Sequence, residues 1–282
     1  MQSFAYIDET LDINTTQSYE LSIQLNLNGL SFCLLDTIRN KYIALQNYSL
    51  KPDNSFDDYL DSIESLLKSN ELLNQKFKSV KLIWLSNKNT LIPSSLFITT
   101  NLKSYFEFNQ KINDLDEIHY TELKYANAYS VFTIPNQIAT IFTRLYPKIR
   151  FYNQQSPIIE YALFNSNSNE HKVYVNVESY FFDLTITYAN KLLIYNNFIY
   201  KNAVDMLYYI MYSFDQLNIN AETTELILSG DITKNSQDHL KLSEFIRYIK
   251  FQKHSEEYTY SYTFNKVHQH SFSNLFNLSH CE

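Results

Sequence analysis

Residues 173–186 read Val-Tyr-Val-Asn-Val-Glu-Ser-Tyr-Phe-Phe-Asp-Leu-Thr-Ile, two runs in which apolar residues recur at every second position. Such a period of two is typical of β-strands, because successive side chains point to opposite faces of a sheet. A matching pattern stands about 150 positions earlier, at residues 23–34, as Ile-Gln-Leu-Asn-Leu-Asn-Gly-Leu-Ser-Phe-Cys-Leu. The chain therefore contains one structural unit twice.

The two copies continue in the same way after these hairpins. The pair Asn40-Lys41 falls on Asn190-Lys191, and both pairs predict a hairpin turn before a third strand. A stretch with helical apolar spacing follows in each copy, and the first one opens with Ser55-Phe56-Asp57-Asp58, a capping box. Short apolar strands come next, at 80–85 and 225–229. The predicted order is β-β-β-α-β, twice, with the last strand parallel and buried.

The rest of the chain is less regular but still patterned. Apolar spacing predicts helices at 101–112, 136–147, 157–164, 236–247 and 271–280, and strands at 117–124, 128–134 and within 248–264. Ser156 is the predicted N-cap of the helix at 157–164. We expect an N-terminal arm over residues 1–16, a first domain over 17–165 and a second domain over 166–282.

Composition limits the kinds of partner. The 282 residues carry a formal net charge of −7, which argues against a general binder of nucleic-acid backbones, since those surfaces are basic. The 24 tyrosines and 20 phenylalanines lack accompanying basic clusters, so we interpret most of them as core residues. The sequence has no apolar run long enough to predict a membrane span, and its first residues lack the pattern of a secretory signal. We expect a cytoplasmic protein.

Two β-β-β-α-β units joined by a helical crossover and closed by a C-terminal helix resemble the actin-like ATPase (RNase H-like) fold. The likeness is strongest to the cytoplasmic actin-like proteins of bacterial type IV pilus and type II secretion systems, and to an uncharacterised bacterial family of unknown function related to them. It covers most of the chain from about residue 17. The resemblance implies an α/β fold of two duplicated domains with an interdomain cleft that holds ATP in the active members.

The residues that bind phosphate in that superfamily are replaced here. Each of its two phosphate hairpins carries Asp-x-Gly, where the acid handles Mg²⁺ and the glycine lets backbone N–H groups approach the phosphate. The resemblance puts these positions on Gln24 and Asn26 in the first hairpin, and on Asn176 and Glu178 in the second. The adenosine segment, which normally ends in two glycines, has Gly230 followed by Asp231. The whole chain has two glycines, Gly29 and Gly230.

These replacements predict a non-catalytic protein-interaction or scaffold module with a degenerate nucleotide site, no catalytic residues and no cofactor. The alternative is a degenerate ATP-binding protein with a residual cleft site. A role beside RNA is disfavoured by the acidic charge.

Aromatic residues are the candidates for a protein-binding surface. The tract Tyr258-Thr259-Tyr260-Ser261-Tyr262 predicts either a half-buried strand or an edge strand that accepts a partner's strand. Tyr208 and Tyr212 can add exposed contact area. The partner is an unidentified protein, and a second copy of the chain is compatible with such an edge. His268, His270, His280 and Cys281 match no zinc spacing, so we expect no metal site.

Overall fold

A computed structural model describes residues 2–50, 55–166 and 169–281. The strands, in chain order, are β1 Gln2–Ile7, β2 Tyr19–Asn26, β3 Gly29–Asp36, β4 Lys41–Ser49, β5 Ser79–Trp84, β6 Asn89–Pro93, β7 Asp116–Leu123, β8 Ala128–Pro135, β9 Arg150–Asn153, β10 His171–Val177, β11 Phe181–Tyr188, β12 Lys191–Ile199, β13 Glu225–Gly230, β14 Tyr248–Phe251 and β15 Thr259–Tyr260. The α-helices are α1 Phe56–Ser69, α2 Leu102–Glu107, α3 Asn136–Leu145, α4 Gln155–Phe164, α5 Ala203–Gln216, α6 Gln237–Ser243 and α7 Ser273–Asn277.

The predicted β-β-β-α-β unit is confirmed in both copies. The first is β2-β3-β4-α1-β5, and the second is β10-β11-β12-α5-β13. In each copy the three meander strands are antiparallel, and the strand after the helix pairs in parallel with the first strand. Asn40 and Asn190 both have positive φ, 49° and 62°, as a tight turn before the third strand requires.

The first sheet has seven strands in the order β1-β4-β3-β2-β5-β9, with β15 also paired to β4. A separate sheet of order β6-β8-β7 is inserted between β5 and α3. Helix α1 starts at the predicted capping box, in which the Ser55 side chain accepts from Asp58 N and the Asp58 side chain accepts from Ser55 N. Its buried residues Tyr59, Ile63 and Leu67 follow the spacing of one helix face and join the core of the first sheet.

The second sheet has five strands in the order β12-β11-β10-β13-β14. The buried valines of β10 and the buried residues Met206, Ile210 and Phe214 of α5 belong to one apolar cluster on one face of this sheet. Side chains alternate between the two faces of a sheet along each strand. Since Val175 and Val177 are buried in this cluster, Asn176 between them lies on the opposite face of the sheet.

The chain divides into two units whose bounds differ from the predicted domains. The first unit comprises the described residues within Met1–Glu122, Ala128–Gln154 and Ser255–Lys266, and the second comprises those within Leu123–Asn127, Gln155–His254 and Val267–Glu282. The predicted boundary between residues 165 and 166 is followed by residues 167–168, which lie outside the described residues. The division falls earlier, between Gln154 and Gln155, because α4 contacts β11, β12 and α7.

Three other predictions need correction. Residues 2–7 of the expected N-terminal arm form β1, which pairs with β4. Helix α4 begins at Gln155, so Ser156 lies within it and is not its cap. The region 248–264 is not one strand, since β14 joins the second sheet and β15 joins the first. Strands β6 and β9 were not predicted at all.

Candidate functional site

The second predicted phosphate hairpin is the turn between β10 and β11. Glu178 N donates to Phe181 O at 2.9 Å and closes this turn. Asn176, two residues earlier, lies in register with Asp183 on β11 and Ser229 on β13. Its Oδ1 accepts from Ser229 Oγ at 3.1 Å, and its Nδ2 donates to Glu178 Oε1 at 3.2 Å and lies 3.4 Å from Asp183 Oδ2. The amide of Asn176 therefore ties three strand ends together.

Glu178 has a pKa well above that of an ordinary glutamate. Its side chain is half-buried, and burial together with the negative charges of Asp183 and Asp231 raises its pKa to about 8, against the weaker effect of the Asn176 hydrogen bond. Desolvation and like charges both disfavour the ionised form of a carboxyl group. A large part of the Glu178 population is therefore protonated at neutral pH.

Asp183 is a member of this cluster that the sequence analysis missed. Its side chain is fully buried, and Tyr195 Oη donates to its Oδ1 at 2.6 Å. The available signal was its position in Phe181-Phe182-Asp183-Leu184, where a carboxylate stands within a run of buried strand residues. A buried carboxylate is costly without hydrogen-bond donors, so such a residue marks a polar site within a sheet.

Gly230 and Asp231 follow the neighbouring strand β13. Gly230 has a φ of +82°, and a Cβ at this position would lie 2.2 Å from Val177 O, so only glycine fits. Gly230 N donates to His270 O at 2.9 Å, and Asp231 N donates to Val177 O at 2.7 Å. The Asp231 side chain is exposed. Glycine at 230 is thus explained by the close approach of two backbone segments.

The C-terminal segment completes the cluster around Glu178. Asn274 in α7 is 4% exposed, and its Nδ2 lies 3.5 Å from Glu178 Oε1. Its Oδ1 accepts no hydrogen bond from the residues that the structure describes. Tyr200 Oη donates to Glu178 O at 3.2 Å. No sequence pattern pointed to Asn274.

The first predicted phosphate hairpin is the turn between β2 and β3, and it lies in the other unit. Gln24 pairs with Ser31 on β3 and Ile83 on β5, and its Oε1 is buried without a partner among the described residues. Asn26 Oδ1 accepts from Asn28 N at 2.9 Å, which stabilises the turn itself. The carbonyl oxygen of Asn26 accepts from Tyr59 Oη at 2.9 Å.

The predicted interaction tyrosines fall into two groups. The rings of Tyr258 and Tyr260 pack against the ring of Tyr42, with centroids 5.4 and 5.2 Å away. These two tyrosines therefore contribute to packing within the first unit. Tyr262 begins a 3₁₀ turn and is 65% exposed. On α5, Tyr208 and Tyr212 are 62% and 53% exposed and stack with centroids 6.1 Å apart.

The three histidines and the cysteine considered for a metal site make separate contacts with other parts of the protein. The His268 and His270 rings stack 5.4 Å apart, and His270 Nε2 lies 2.6 Å from Ile232 O. Cys281 is buried, and the His280 ring lies 5.1 Å from that of Phe164. Across residues 2–50, 55–166 and 169–281, no three His, Cys, Asp or Glu side chains are arranged to hold a metal ion. In the same residues no helix has the length and apolarity of a transmembrane span.

Comparison with solved structures identifies the fold as actin-like. A crystal structure from Bacteroides thetaiotaomicron VPI-5482, a protein with actin-like ATPase fold and unknown function, matches with a TM-score of 0.82 and 25% identity, over 97% of this chain and 100% of that one. A PilM–PilN type IV pilus biogenesis complex matches with a TM-score of 0.58 and 9% identity, over 93% of this chain and 98% of that one.

A search of curated proteins finds no match to the chain. A family model does match, over residues 8–249, and its description is Protein of unknown function (DUF3822). That match covers far more than half of the sequence. The chain belongs to this family, and it has the actin-like fold of its structural relatives.

Proposed function

We propose that the chain is a non-catalytic protein of the actin-like fold that recognises another protein and no longer binds nucleotide. The observation that carries this proposal is the carboxylate of Glu178, at the position where the fold's active members have a phosphate-binding glycine. Burial raises the pKa of Glu178 to about 8, with further contributions from the negative charges of Asp183 and Asp231. A phosphate group would bring more negative charge beside Asp183 and Asp231 and would meet the bulk of the Glu178 side chain, in surroundings where repulsion is screened less than in water.

The backbone of the two turns supports the same proposal. Phosphate loops bind by offering free N–H groups. Here the amides of Glu178, Gly230 and Asp231 donate to carbonyl oxygens of the protein itself. In the first hairpin the Asn28 amide donates to the Asn26 side chain. These four N–H groups are therefore already engaged, and a phosphate would have to displace protein hydrogen bonds.

Protein recognition is favoured by an exposed stripe on α5, which we call the α5 face and define as Val204, Tyr208 and Tyr212. The three side chains are 60%, 62% and 53% exposed and are spaced four residues apart, so they lie on one side of the helix. Tyrosine is enriched at protein interfaces because its ring buries a large apolar area while its hydroxyl hydrogen-bonds. One structure with this fold is a PilM–PilN complex, an example of protein binding by a relative.

A thermal-shift titration tests the loss of nucleotide binding. ATP with Mg²⁺ at 100 times its Kd would stabilise a binding protein by about 2.7 kcal/mol. The proposal predicts no shift in Tm at millimolar Mg·ATP for the wild type. The alternative, a degenerate ATP-binding protein with a residual site, predicts a saturable shift of several degrees.

A photo-crosslinker placed at Tyr212 tests protein recognition in cells that express the full chain. The proposal predicts one dominant crosslinked partner, which is lost when Tyr208→Ala is added. Tyr248→Ala is the matched control, since Tyr248 is 47% exposed in the same unit but lies outside the α5 face. Crosslinks that are the same with and without Tyr208→Ala would argue against the α5 face as the recognition surface.

A further inference from the structure

The two copies of the repeated unit differ at the outer edge of their third strand. In the first unit β4 pairs with β3 on one side, and β1 and β15 pair with it as well. In the second unit the equivalent strand, β12, is the last in its sheet, and no strand of the described residues pairs with its outer edge. Six of the nine residues of β4 are buried, whereas no residue of β12 is. β12 therefore presents an open sheet edge where β4 is covered.

The correspondence between β4 and β12 extends to an irregularity that both strands share. The register of β3 with β4 skips Ile43, and the register of β11 with β12 skips Leu193 at the equivalent position. β1 covers the five residues of β4 that follow this bulge, residues 44–48, in antiparallel register. Because the bulge falls at the same place in both strands, residues 194–198 of β12 present their backbone groups in the same order as residues 44–48. They are therefore suited to accept an antiparallel strand.

The open edge of β12 lacks the residues that commonly keep sheet edges from pairing. Proline and charged side chains are the usual protection. Lys191, at the first position, is the one charged residue of β12, and the strand contains no proline. The parts of the sequence outside the described residues are 1, 51–54, 167–168 and 282, and each is shorter than five residues. No further segment of this sequence is left to cover residues 194–198.

Residues 194–198 are complementary to themselves in an antiparallel arrangement. If two copies pair about a two-fold axis at Asn196, Ile194 of one copy lies opposite Phe198 of the other. Ile194 and Phe198 share the sheet face that packs against the apolar cluster of the second unit, so this pair extends an apolar face. Asn196 lies opposite its own equivalent, and an amide has both a donor and an acceptor for such a contact. No charged side chain within 194–198 opposes a like charge.

We propose that β12 is a dimerisation strand, which pairs antiparallel with β12 of a second copy of this chain over residues 194–198. The pairing joins two five-stranded sheets into one sheet of ten strands. Such a contact uses the same surface on both copies and closes on itself, so it produces a dimer. The inference goes beyond the proposed function, because it concerns a surface other than the α5 face and a partner of the same sequence.

Sedimentation velocity of the full chain, from micromolar to submillimolar concentrations, tests this pairing. The wild type is expected to form a reversible dimer. Asn196→Asp should weaken dimerisation by about tenfold or more at neutral pH, because two carboxylates would oppose each other at the axis. Aspartate keeps the side-chain oxygen that accepts from Asn197 N, so the fold of each chain is retained. Gln237→Glu is the matched control, since it makes the same chemical change at an exposed residue of α6 in the same unit, and it should dimerise as the wild type does.

A single added cysteine tests the register of the pairing. Cys33 and Cys281 are both buried, so an added exposed cysteine is the reactive one. Asn196→Cys should form a disulfide-linked dimer on mild oxidation, because opposite residues of antiparallel strands have Cα atoms about 4.5–5.5 Å apart, within reach of a disulfide. Leu240→Cys is the matched control, since Leu240 is exposed in the same unit but lies on α6, and it should remain a single chain on a non-reducing gel.

The two experiments together decide the inference. A wild type that sediments as a monomer at every concentration overturns it and leaves the edge of β12 to a strand of a different protein. A dimer that Asn196→Asp does not weaken, or that Asn196→Cys does not link, also overturns it, because such a dimer uses another surface. In each of these cases the proposed function stands, since its tests are Mg·ATP binding and crosslinking at the α5 face.

Discussion

Replacing Glu178 with glutamine should remove a pH-dependent penalty on the stability of the folded chain. Below its ordinary pKa of 4.5 the carboxyl group is protonated in both the folded and the unfolded state, so it carries no penalty there. As the pH rises, the unfolded chain ionises first, while the folded state resists ionisation until the pH passes about 8. The free energy of unfolding therefore falls through this window.

The size of the effect follows from the same pKa. Each unit of difference is worth about 1.4 kcal/mol, so the full penalty above pH 8 is about 5 kcal/mol as an upper bound. Between pH 6 and pH 9 the wild type should lose about 3 kcal/mol more than Glu178→Gln. Glutamine keeps the shape of the side chain and can still accept from Asn176, so the comparison isolates the charge.

Urea unfolding followed by circular dichroism at pH 6 and pH 9, on both proteins without added ligand, measures this difference. Titrations of groups far from this turn are common to the two proteins and cancel in the comparison. Equal slopes of stability against pH for the wild type and Glu178→Gln would refute the electrostatic account of the turn. A more stable wild type at pH 9 would show that Glu178 has a partner cation in the folded chain.

Three further perturbations follow from the contacts described above. Gly230→Ala should destabilise the chain by about 3 kcal/mol or more in urea unfolding, since its φ is +82° and its Cβ would lie 2.2 Å from Val177 O. Ala189→Gly should instead raise the unfolding free energy by about 0.5 kcal/mol, because Ala189 has a φ of 48° that glycine adopts without strain. Asp8→Asn should cost about 3 kcal/mol at pH 7, because it breaks the ion pair of the buried Asp8 with the partly buried Lys41 at 2.8 Å. An unchanged unfolding midpoint for any of the three variants would contradict the reason given for it.

The internal repeat made the fold predictable from the sequence. The alternation at residues 23–34 and 173–186 and the turn asparagines Asn40 and Asn190 are local features, and each agrees with the structure. Both copies carry the same signals, which is why the order of elements could be predicted before any pairing was known. Local pattern and tertiary arrangement agree throughout these segments.

The elements that were missed depend on distant partners. Strand β1 is stabilised by pairing with β4, and β15 by pairing with the free end of the same strand, neither of which a local pattern reveals. Short strands such as β9, with four residues, carry too few side chains for a period to be counted. The aromatic tract at 258–262 looked like one strand, but only Thr259 and Tyr260 pair.

The candidate site was predictable only in part, for the same reason. Asn176, Glu178, Gly230 and Asp231 could be named because the resemblance to the actin-like fold marks their positions. Asp183 and Asn274 enter the site through register and through the packing of α7, and no motif encodes either. The raised pKa of Glu178 comes first from burial and then from the charge of Asp183, and neither can be anticipated from the turn alone.

A calorimetric titration of the wild-type chain with Mg·ATP asks whether phosphate still binds at the turns after β2 and β10. If the nucleotide site is lost, no saturable heat is expected up to millimolar nucleotide, with or without the Glu178→Gln change. Saturable binding of Mg·ATP by the wild type, weakened by a bulkier residue at Ser229 beside Asn176, would contradict it and place a working nucleotide site where we find carboxylates.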